Sequence, residues 1–389
     1  MSKRVGGFIN QDGLNAPDSP TSVSASAGDE SASVSFTAPS DVGGSAVTGY
    51  VATSNDGIGA TGSASPITVS GLTNGTPYTF RVWALNAFGY SAPSDASGSV
   101  SPQLQRGLFG GGQTTENVNI ISYVSLATTG NAIDFGDLTY STDAQGLGAC
   151  ASTTRGVFAG GSNSENTINY VTIATTGNAL DFGDLTLGRR ARGCSSSTRG
   201  LFAGGDGAPG AKNVIDYITI ASTGNAIDFG DLITELENQA ACSSPTRGVV
   251  AGGTFPQTNV IQFVTIASTG NATDFGDLTA ATDGLAGCSS STRGLFGGGG
   301  DTNTIQFITL ATTGNATDFG DLTLEIKKLA ACSSELRGLF GGGDISGDVR
   351  QNVISFVTIA SAGNAADFGD LTAAITELAA CSSAHGGLS

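Results

Sequence analysis

One short segment, RG[LV][FV][AG]GG, occurs six times along the chain, and neighbouring copies lie 44 to 49 residues apart. Each copy is followed by a β-branched and aromatic run, a Gly-Asn-Ala turn, the sequence Asp-Phe-Gly-Asp-Leu and a stretch that ends in Cys-Ser or Cys-Ala. A period in the mid-forties is the length of a four-stranded propeller blade, and the periodicity of helical repeats is absent. The repeats start at Arg106, Arg155, Arg199, Arg247, Arg293 and Arg337.

The repeat that starts at Arg247 predicts four strands. Residues 259–267 are β-branched and aromatic and apolar on both faces, which indicates a strand covered on both sides. Residues 247–251 and 274–278 predict two further strands. Residues 285–290 predict the fourth, whose small side chains suit the innermost position around a central channel. These patterns predict a six-bladed β-propeller over residues 104–389.

The six cysteines stand one per repeat, always at the same repeat position. Equivalent positions in neighbouring blades are too far apart for a disulfide, and zinc requires more closely spaced ligands, so we expect free buried thiols and no metal. The first repeat has no cysteine strand before it, whereas the last repeat ends with one at residues 378–383. The C-terminal strand is therefore expected to complete the first blade and close the propeller. The cysteines are Cys150, Cys194, Cys242, Cys288, Cys332 and Cys381.

Glycine pairs after an apolar strand, followed by an aromatic-bearing strand, resemble the repeat of a kelch-type propeller. A divergent form is indicated, because Phe replaces the tryptophan expected late in a kelch blade. The near-identical repeats of Gly-Asn-Ala-x-Asp-Phe-Gly-Asp-Leu are also similar to those of bacteriophage tail or virion proteins, especially marine ones. This resemblance implies a structural protein of the virion. The replacing residues are Phe135, Phe182, Phe229, Phe275, Phe319 and Phe368.

Residues 17–103 form a separate module without cysteine. Short alternating strands are predicted at residues 34–36, 49–52 and 67–69, and a longer one follows Pro77. The spacing of Leu72 and Tyr78 resembles the tyrosine corner of a fibronectin type III domain, a β-sandwich. That resemblance implies a spacer or adhesion module. The whole chain is thus predicted to be all-β, with an N-terminal arm at residues 1–16, a fibronectin type III-like sandwich and a propeller.

The charge and hydropathy of the chain argue against two classes of partner, nucleic acids and membranes. The net charge is −17, with 33 acidic against 16 basic residues, so a nucleic acid partner is not expected. No apolar run is long enough to insert into a membrane, and the N-terminus lacks the apolar region of a secretion signal. We therefore expect a protein made in the host cytoplasm and delivered on a virion.

Catalytic motifs are sparse. His385 is the only histidine, which argues against triad, Cys-His and His-metal chemistry. Asp-Phe-Gly lacks the other kinase motifs, and the run of four glycines from Gly297 is not followed by the Lys-Ser/Thr of a phosphate-binding loop. We expect no enzyme and no cofactor, although a glycan-degrading propeller that uses carboxylates alone stays open as an alternative. The unrepeated acids that would serve it are Glu235, Glu237, Asp301, Asp344 and Asp348.

Each Asp-Phe-Gly-Asp places two carboxylates three residues apart, as at Asp274 and Asp277. We expect these carboxylates to cap turns and to pair with the repeated arginine of a neighbouring strand. Calcium binding is the alternative, and it is disfavoured because calcium requires six or more oxygen ligands.

Sequence differences among the repeats indicate where a ligand would bind. The turns at Cys-Ser and Gly-Asn-Ala are nearly uniform, whereas the loops after Gly-Gly and after Asp-Phe-Gly-Asp-Leu vary, and in an up-and-down blade these two loops share one face. Variation confined to one face is typical of a recognition surface, although drift of surface loops would also produce it. The candidate binding residues on this variable face are Phe255, Arg189, Arg190, Arg192, Lys212, Asp344 and Asp348.

These observations favour a non-enzymatic virion component, in a tail or tail fibre, that attaches to the host surface. The expected partners are other virion proteins and a host cell-surface glycan or protein, and homo-oligomerisation stays open. The principal alternative is a decoration or adaptor protein of the head, neck or tail that binds no receptor.

Overall fold

The computed structural model describes residues 15–140 and 145–388. The described residues form an all-β protein with two short 3-10 segments, and neither segment is long or apolar enough to cross a membrane. The chain divides into two compact units, residues 1–104 and 105–389. Most of the predicted N-terminal arm lies outside the described residues.

The first unit contains two antiparallel sheets. Alternation along its strands buries one side of each sheet, as in the run from Phe80 to Asn86, where every second residue is buried. The two buried faces share one core that includes Val34, Tyr50, Val69 and Phe80. In sheet order, the three-stranded sheet consists of Thr21–Gly28, Ser31–Thr37 and Ile67–Ser70, and the four-stranded sheet of Gly59–Gly62, Gly49–Ser54, Phe80–Asn86 and Gly89–Tyr90.

The second unit contains six four-stranded antiparallel sheets, numbered 1 to 6 in repeat order. The strands predicted from the repeat that starts at Arg247 lie within one or two residues of the observed ones, and Arg247–Ala251 has the predicted bounds. The strand predicted as the fourth of this repeat, observed at Ala286–Ser289, belongs to the next sheet, where it pairs with Arg293–Gly297. In the order first to fourth strand, sheet 2 consists of Gly148–Ala151, Arg155–Ala159, Thr167–Thr172 and Leu180–Asp184; sheet 3 of Arg190–Ser195, Arg199–Asp206, Ala211–Thr219 and Ile227–Leu236; sheet 4 of Ala240–Ser243, Arg247–Ala251, Val260–Thr265 and Thr273–Asp277.

Sheets 5 and 6 follow the same plan, and sheet 1 takes its first strand from the C-terminal part of the chain. Ala379 pairs with Gly110 and Ser382 with Gly107, which is the predicted pairing of the last strand with the first repeat. Sheet 5 consists of Ala286–Ser289, Arg293–Gly297, Thr304–Thr309 and Thr317–Asp321; sheet 6 of Ala330–Ser333, Arg337–Gly341, Val353–Thr358 and Ala366–Asp370; sheet 1 of Ala379–Ser382, Arg106–Gly110, Ile120–Ser125 and Ile133–Asp137. A small hairpin, Asp344–Ile345 with Val349–Arg350, and the 3-10 segments Ser162–Ser164 and Gly386–Leu388 complete the elements.

The glycine of each Arg-Gly pair allows neighbouring sheets to approach closely. A Cβ on Gly200 of sheet 3 would lie 2.5 Å from the Sγ of Cys150 in sheet 2, and a Cβ on Gly107 of sheet 1 would lie 2.6 Å from the Sγ of Cys332 in sheet 6. No side chain fits into such a gap. The repeated glycine and the repeated cysteine are therefore the two sides of one contact, which occurs between each sheet and the next and also between sheets 6 and 1.

The arginine of the same pair joins consecutive sheets. Its guanidinium lies over the aromatic ring of its own third strand, 4.5 Å from the centroid of Tyr123 for Arg106, and donates to a backbone carbonyl of the next sheet, that of Ile173, at 2.9 Å. Arg337 of sheet 6 closes the series by donating to Leu126 and Ala127 of sheet 1. The prediction that these arginines pair with the carboxylates of Asp-Phe-Gly-Asp is wrong, because backbone carbonyls take their place.

Asp-Phe-Gly-Asp has a packing role in every repeat. Phe135 is buried and meets Tyr123 edge to face with centroids 5.9 Å apart. Gly136 has φ of +146°, and a Cβ there would lie 2.4 Å from the carbonyl oxygen of Gly177 in the Gly-Asn-Ala turn of the next sheet. In that turn the Asn178 side chain accepts a hydrogen bond from the backbone N–H of Asp137 at 3.1 Å. The motif therefore fixes the outer edge of each sheet to its neighbour.

Candidate binding face

The first strands of all six sheets line one cavity, here called the central cavity. Its walls carry the six cysteines, which are buried free thiols. Burial raises the pKa of every one of these thiols, to about 12 for Cys194 and Cys381. A thiol that stays protonated is a poor nucleophile and a poor metal ligand, so the cysteine ring is a packing feature. Within residues 15–140 and 145–388, no group of three or more His, Cys, Asp or Glu residues could hold a metal ion.

A series of serine hydrogen bonds joins the first strands at one end of this cavity. The hydroxyl of Ser243 donates to the carbonyl of Ser195 at 2.8 Å, and the same bond recurs from sheet to sheet up to Ser382, which donates to Ser333 at 2.6 Å. The sixth equivalent position is Ala151, which has no hydroxyl. There the Nε2 atom of His385 lies 3.1 Å from the Ala151 carbonyl oxygen and 3.2 Å from the Ser195 hydroxyl.

The segment that follows His385 closes this end of the cavity. A Cβ on Gly386 would lie 2.0 Å from the Ser290 carbonyl oxygen, and one on Gly387 would lie 1.9 Å from that of Ser195. The backbone N–H of Gly387 donates to Nδ1 of His385 at 3.1 Å. Because Nδ1 accepts this bond and Nε2 faces a carbonyl, the imidazole is held in its neutral form.

We expect the contact of His385 to weaken in acid. Burial lowers the pKa of His385 from 6.5 to about 4, against smaller opposing effects of the Ala151 hydrogen bond and the Glu335 charge. A depressed histidine pKa gives stability that is present above the unfolded pKa and is lost as the pH falls towards the folded one. The loss amounts to about 2 kcal/mol between about pH 7 and pH 5.

The measurement is the free energy of unfolding against pH for the full chain and for His385→Gln, whose amide can still donate to Ala151. The variant should lack about 2 kcal/mol of the acid loss. Equal acid sensitivity in both proteins would show that His385 does not titrate in this interval.

A second cavity, here called the arginine cavity, opens at the other end of the first strands. It is lined by small and aliphatic residues of all six sheets and by one charged side chain, Arg192. Nε of Arg192 donates to the Gln239 carbonyl at 3.1 Å, and Nη1 donates to the carbonyls of Ala191 and Gly146 at 3.2 and 3.4 Å. Burial lowers the pKa of Arg192, partly offset by Glu377.

Three further residues form a charged cluster beside this cavity. Glu377 contacts Arg190, with Oε2 and Nη1 3.3 Å apart, and Lys328, with Oε1 and Nζ 2.8 Å apart. Arg190 reaches Glu377 across Gly146, where a Cβ would lie 2.8 Å from the arginine Cδ. Burial alone would raise the pKa of Glu377, but the hydrogen bond from Lys328 and the charges of Lys328, Arg190 and Arg192 lower it below its ordinary value.

Two of the predicted binding residues are not available to a partner. Arg189 is fully buried, and its Nη1 lies 2.8 Å from Oδ2 of Asp216, which is also fully buried. Its guanidinium also donates to the carbonyls of Gly204 and Phe202. Asp344 is 4% exposed and accepts a hydrogen bond from Thr376 at 2.9 Å. Placing these two residues on a recognition surface was wrong, because both side chains are buried inside the protein.

The other predicted residues are accessible to different degrees. Phe255 is 68% exposed, in the loop between the second and third strands of sheet 4. Asp348 is exposed at the turn of the small hairpin, and Lys212 is half-buried near the start of the third strand of sheet 3. Arg190 and Arg192 were predicted in a loop but lie on the first strand of sheet 3.

The loops after Gly-Gly and before the first strands do lie side by side, as the sequence predicted. Isolated bridges pair Glu237 with Thr254 and Lys327 with Asp344. The Phe255 loop therefore borders the segment that leads into Gln239 and the arginine cavity.

Sequence reasoning missed Glu377 and Lys328 as part of this group. Both occupy the repeat position of Arg190, two residues before the first alanine of the cysteine strand in their own repeats. An alignment of the six repeats would have shown this group, because the position of Arg190 differs in charge from repeat to repeat. The residues at this position are Gly146, Arg190, Asn238, Gly284, Lys328 and Glu377.

Residues 18–99 match the model of the fibronectin type III domain. The hydroxyl of Tyr78 accepts a hydrogen bond from the Thr73 backbone at 3.1 Å, which is the contact that the tyrosine-corner spacing predicted. Residues 18–99 form a fibronectin type III domain. No curated protein matches the chain in a sequence search.

The fibronectin type III domain has its own exposed aromatic residues. Phe88 is 46% exposed and Tyr90 is 58% exposed, at the hairpin that ends the four-stranded sheet. The segment after this hairpin is held to the strand Phe80–Asn86 through serine side chains. The hydroxyls of Ser91, Ser94 and Ser97 accept hydrogen bonds from backbone N–H groups of that strand at 2.9 to 3.0 Å. The fibronectin type III domain is in general a binding or structural module.

Proposed function

We propose that residues 105–388 form a six-bladed propeller that acts as a non-enzymatic binding module. The cyclic order of the contacts between sheets supports this architecture. Arg337 donates from sheet 6 to sheet 1, Gly369 of sheet 6 packs on Gly130 of sheet 1, and the first strands of all six sheets line the central cavity. The strand Ala379–Ser382 would close the propeller, which removes a free sheet edge.

Phe255 is the observation that carries the binding proposal. Its side chain is 68% exposed, and its φ of +73° is one that residues other than glycine rarely adopt. An exposed large aromatic on a strained backbone costs stability and contributes no packing, which is typical of a residue held for recognition. It lies on the variable face, whereas the turns of the opposite face are nearly the same in all repeats.

The role we propose is attachment of a virion, through a tail or tail fibre, to a glycan or protein on the host surface. The similarity of the repeats to those of bacteriophage virion proteins supports this role, and a fibronectin type III domain suits a structural position beside other virion proteins.

The placement of the unrepeated acids favours a binding protein over a glycan-degrading enzyme. Asp344 is buried and bonded to Thr376, and Asp301 pairs with Lys327 at 3.0 Å. Glu235 and Asp348 are exposed. Glycosidases need two carboxylates that face a common cleft, whereas Asp301, Asp344 and Asp348 all lie near the ammonium of Lys327, and Glu237 accepts a hydrogen bond from Thr254 at 3.5 Å.

The test is binding of the full chain to a panel of intact marine bacterial cells. Phe255→Ala should weaken binding to the responsive cells about tenfold or more, because interface aromatics often dominate the binding energy. Phe88→Ala removes an exposed aromatic of the fibronectin type III domain and is the matched control. Undiminished binding of the Phe255 variant would remove the variable face from the proposal.

The second candidate is a head, neck or tail adaptor that binds no receptor. The fibronectin type III domain favours it, since such modules often serve as spacers. Absence of binding to every cell type, together with incorporation of the chain into virions at a fixed copy number, would select this alternative.

A further inference from the structure

We propose that the arginine cavity binds a small anionic group, a carboxylate or a phosphate. The site refines the proposed function and rests on it for its biological role. On a receptor, such a group would be the acidic substituent of a surface glycan.

Arg192 is unlike its counterparts in the other five repeats. The equivalent residues are Gly148, Ala240, Ala286, Ala330 and Ala379, all of which have small side chains. Packing of the first strands therefore does not require a long side chain at this place. A single arginine in a wall of small residues is the type of exception expected at a functional position.

The hydrogen bonds of Arg192 leave its guanidinium without a counter-ion in direct contact, although the charge of Glu377 acts on it from a distance. They go to three backbone carbonyls, and among the ion pairs of the described residues none involves Arg192. Arg192 is partly buried among apolar side chains, which makes this costly for a guanidinium, and its planar donors suit carboxylate and phosphate oxygens. An anion in the cavity would relieve that cost.

The neighbouring cluster does not supply this counter-ion. Glu377 already contacts Arg190 and Lys328, one through each carboxylate oxygen. Three cations therefore surround one carboxylate in the described part of the chain, on a protein whose net charge is −17. Glu237 also acts on Arg190, so the positive charge of the cluster is partly balanced, and Arg192 is the cation of the three that contacts no carboxylate in the described residues.

The shape of the cavity limits the ligand. Its volume is about 50 Å³, which is room for a single small oxyanion or a few water molecules, and its lining apart from Arg192 is leucine, alanine and glycine. The opposite end of the first strands is closed by the segment after His385, so the ligand would enter from the variable face. These features suit one acidic substituent at the end of a chain, with the rest of the molecule outside.

The experiment titrates the full chain with glucuronate, inorganic phosphate and, as a neutral sugar, glucose, at constant ionic strength. Binding is followed by broadening of the ligand NMR signals. Arg192→Ala introduces the residue that four other repeats carry and should fold. Arg81→Ala removes an exposed positive charge of the fibronectin type III domain and is the matched control.

We expect glucuronate or phosphate to bind and glucose not to bind. Arg192→Ala should weaken binding about tenfold or more, as for a lost charge-assisted hydrogen bond, and Arg81→Ala should leave it unchanged. Preference between glucuronate and phosphate identifies the oxyanion. Equal weakening by both substitutions would indicate general electrostatic attraction and overturn the site, as would failure of the wild-type protein to bind either anion.

The two proposals fail separately. Binding of the anion without binding to cells would keep the site and reject attachment. Cells bound equally well by the wild-type protein and by Arg192→Ala would keep attachment and reject the anion site as its basis.

Discussion

Deletion of residues 374–389 is expected to abolish the cooperative unfolding transition of the repeat unit. The deletion removes the first strand of sheet 1 together with the buried side chains of Ile375, Leu378 and Cys381. Each large apolar side chain contributes about 1.5–3 kcal/mol, and the backbone partners of the strand Arg106–Gly110 are lost as well. The sum approaches the whole stability of a typical domain, about 5–15 kcal/mol.

Calorimetry of the full chain and of the deletion variant tests this expectation. The fibronectin type III domain has its own core and gives an internal reference transition. Addition of a peptide that spans residues 374–389 should restore the missing transition, because sheet 1 can take its first strand from a separate chain. An unchanged melting temperature after deletion would contradict closure by the C-terminal strand.

Substitution of Arg189 is expected to be the most damaging single change in sheet 3. Arg189→Ala leaves the carboxylate of Asp216 buried without its counter-charge, and such a loss costs about 3–5 kcal/mol. For a unit of this size we expect the melting temperature to fall by about 10 °C.

A second substitution should recover much of the loss. Equivalent positions in sheets 4 and 5 carry Gln262 and Gln306, whose side chains accept hydrogen bonds from the backbone of Ile233 and Thr279. Asp216→Gln in the Arg189→Ala background should therefore be more stable than Arg189→Ala alone by about 2 kcal/mol. Equal stability of the single and double variants would indicate that loss of the carbonyl contacts of Arg189, and not the stranded carboxylate, causes the damage. Unfolding in denaturant measures all three proteins.

The strands could be predicted because the repeat supplies six versions of the same pattern. Gly-Gly ends one strand, the aromatic run marks the next, and the small residues around each cysteine mark the strand predicted as the fourth of its repeat, which is the first strand of the following sheet in the structure. Side-chain partners between sheets could not be predicted in the same way. The repeated arginine was expected to pair with a carboxylate, because charged side chains can be identified in a sequence. Its observed partner is a backbone carbonyl, that of Ile173 for Arg106, and every residue has such a carbonyl, so the sequence does not distinguish this partner from any other.

At the candidate site, too, the sequence did not predict the partners of the side chains. The run Arg189-Arg190-Ala191-Arg192 suggested one exposed basic loop, since charged residues are rarely buried. Its three arginines instead point to three places: Arg189 to Asp216 in the interior, Arg190 to Glu377 and Arg192 into the arginine cavity. The partners lie 27 and 187 residues away along the chain, so only the packing of the sheets brings them together.

The carbonyl contact of the repeated arginine also bears on how such a protein can change over generations. If the repeated arginine needed a particular acidic side chain on the neighbouring sheet, each repeat would depend on the sequence of its neighbour. A recombination event that moved a repeat would then break the ion pair. A hydrogen bond from arginine to a backbone carbonyl does not depend on which side chain the neighbouring residue has. Repeats can therefore be exchanged, duplicated or replaced by recombination while the framework persists, and the loops of the variable face travel with them.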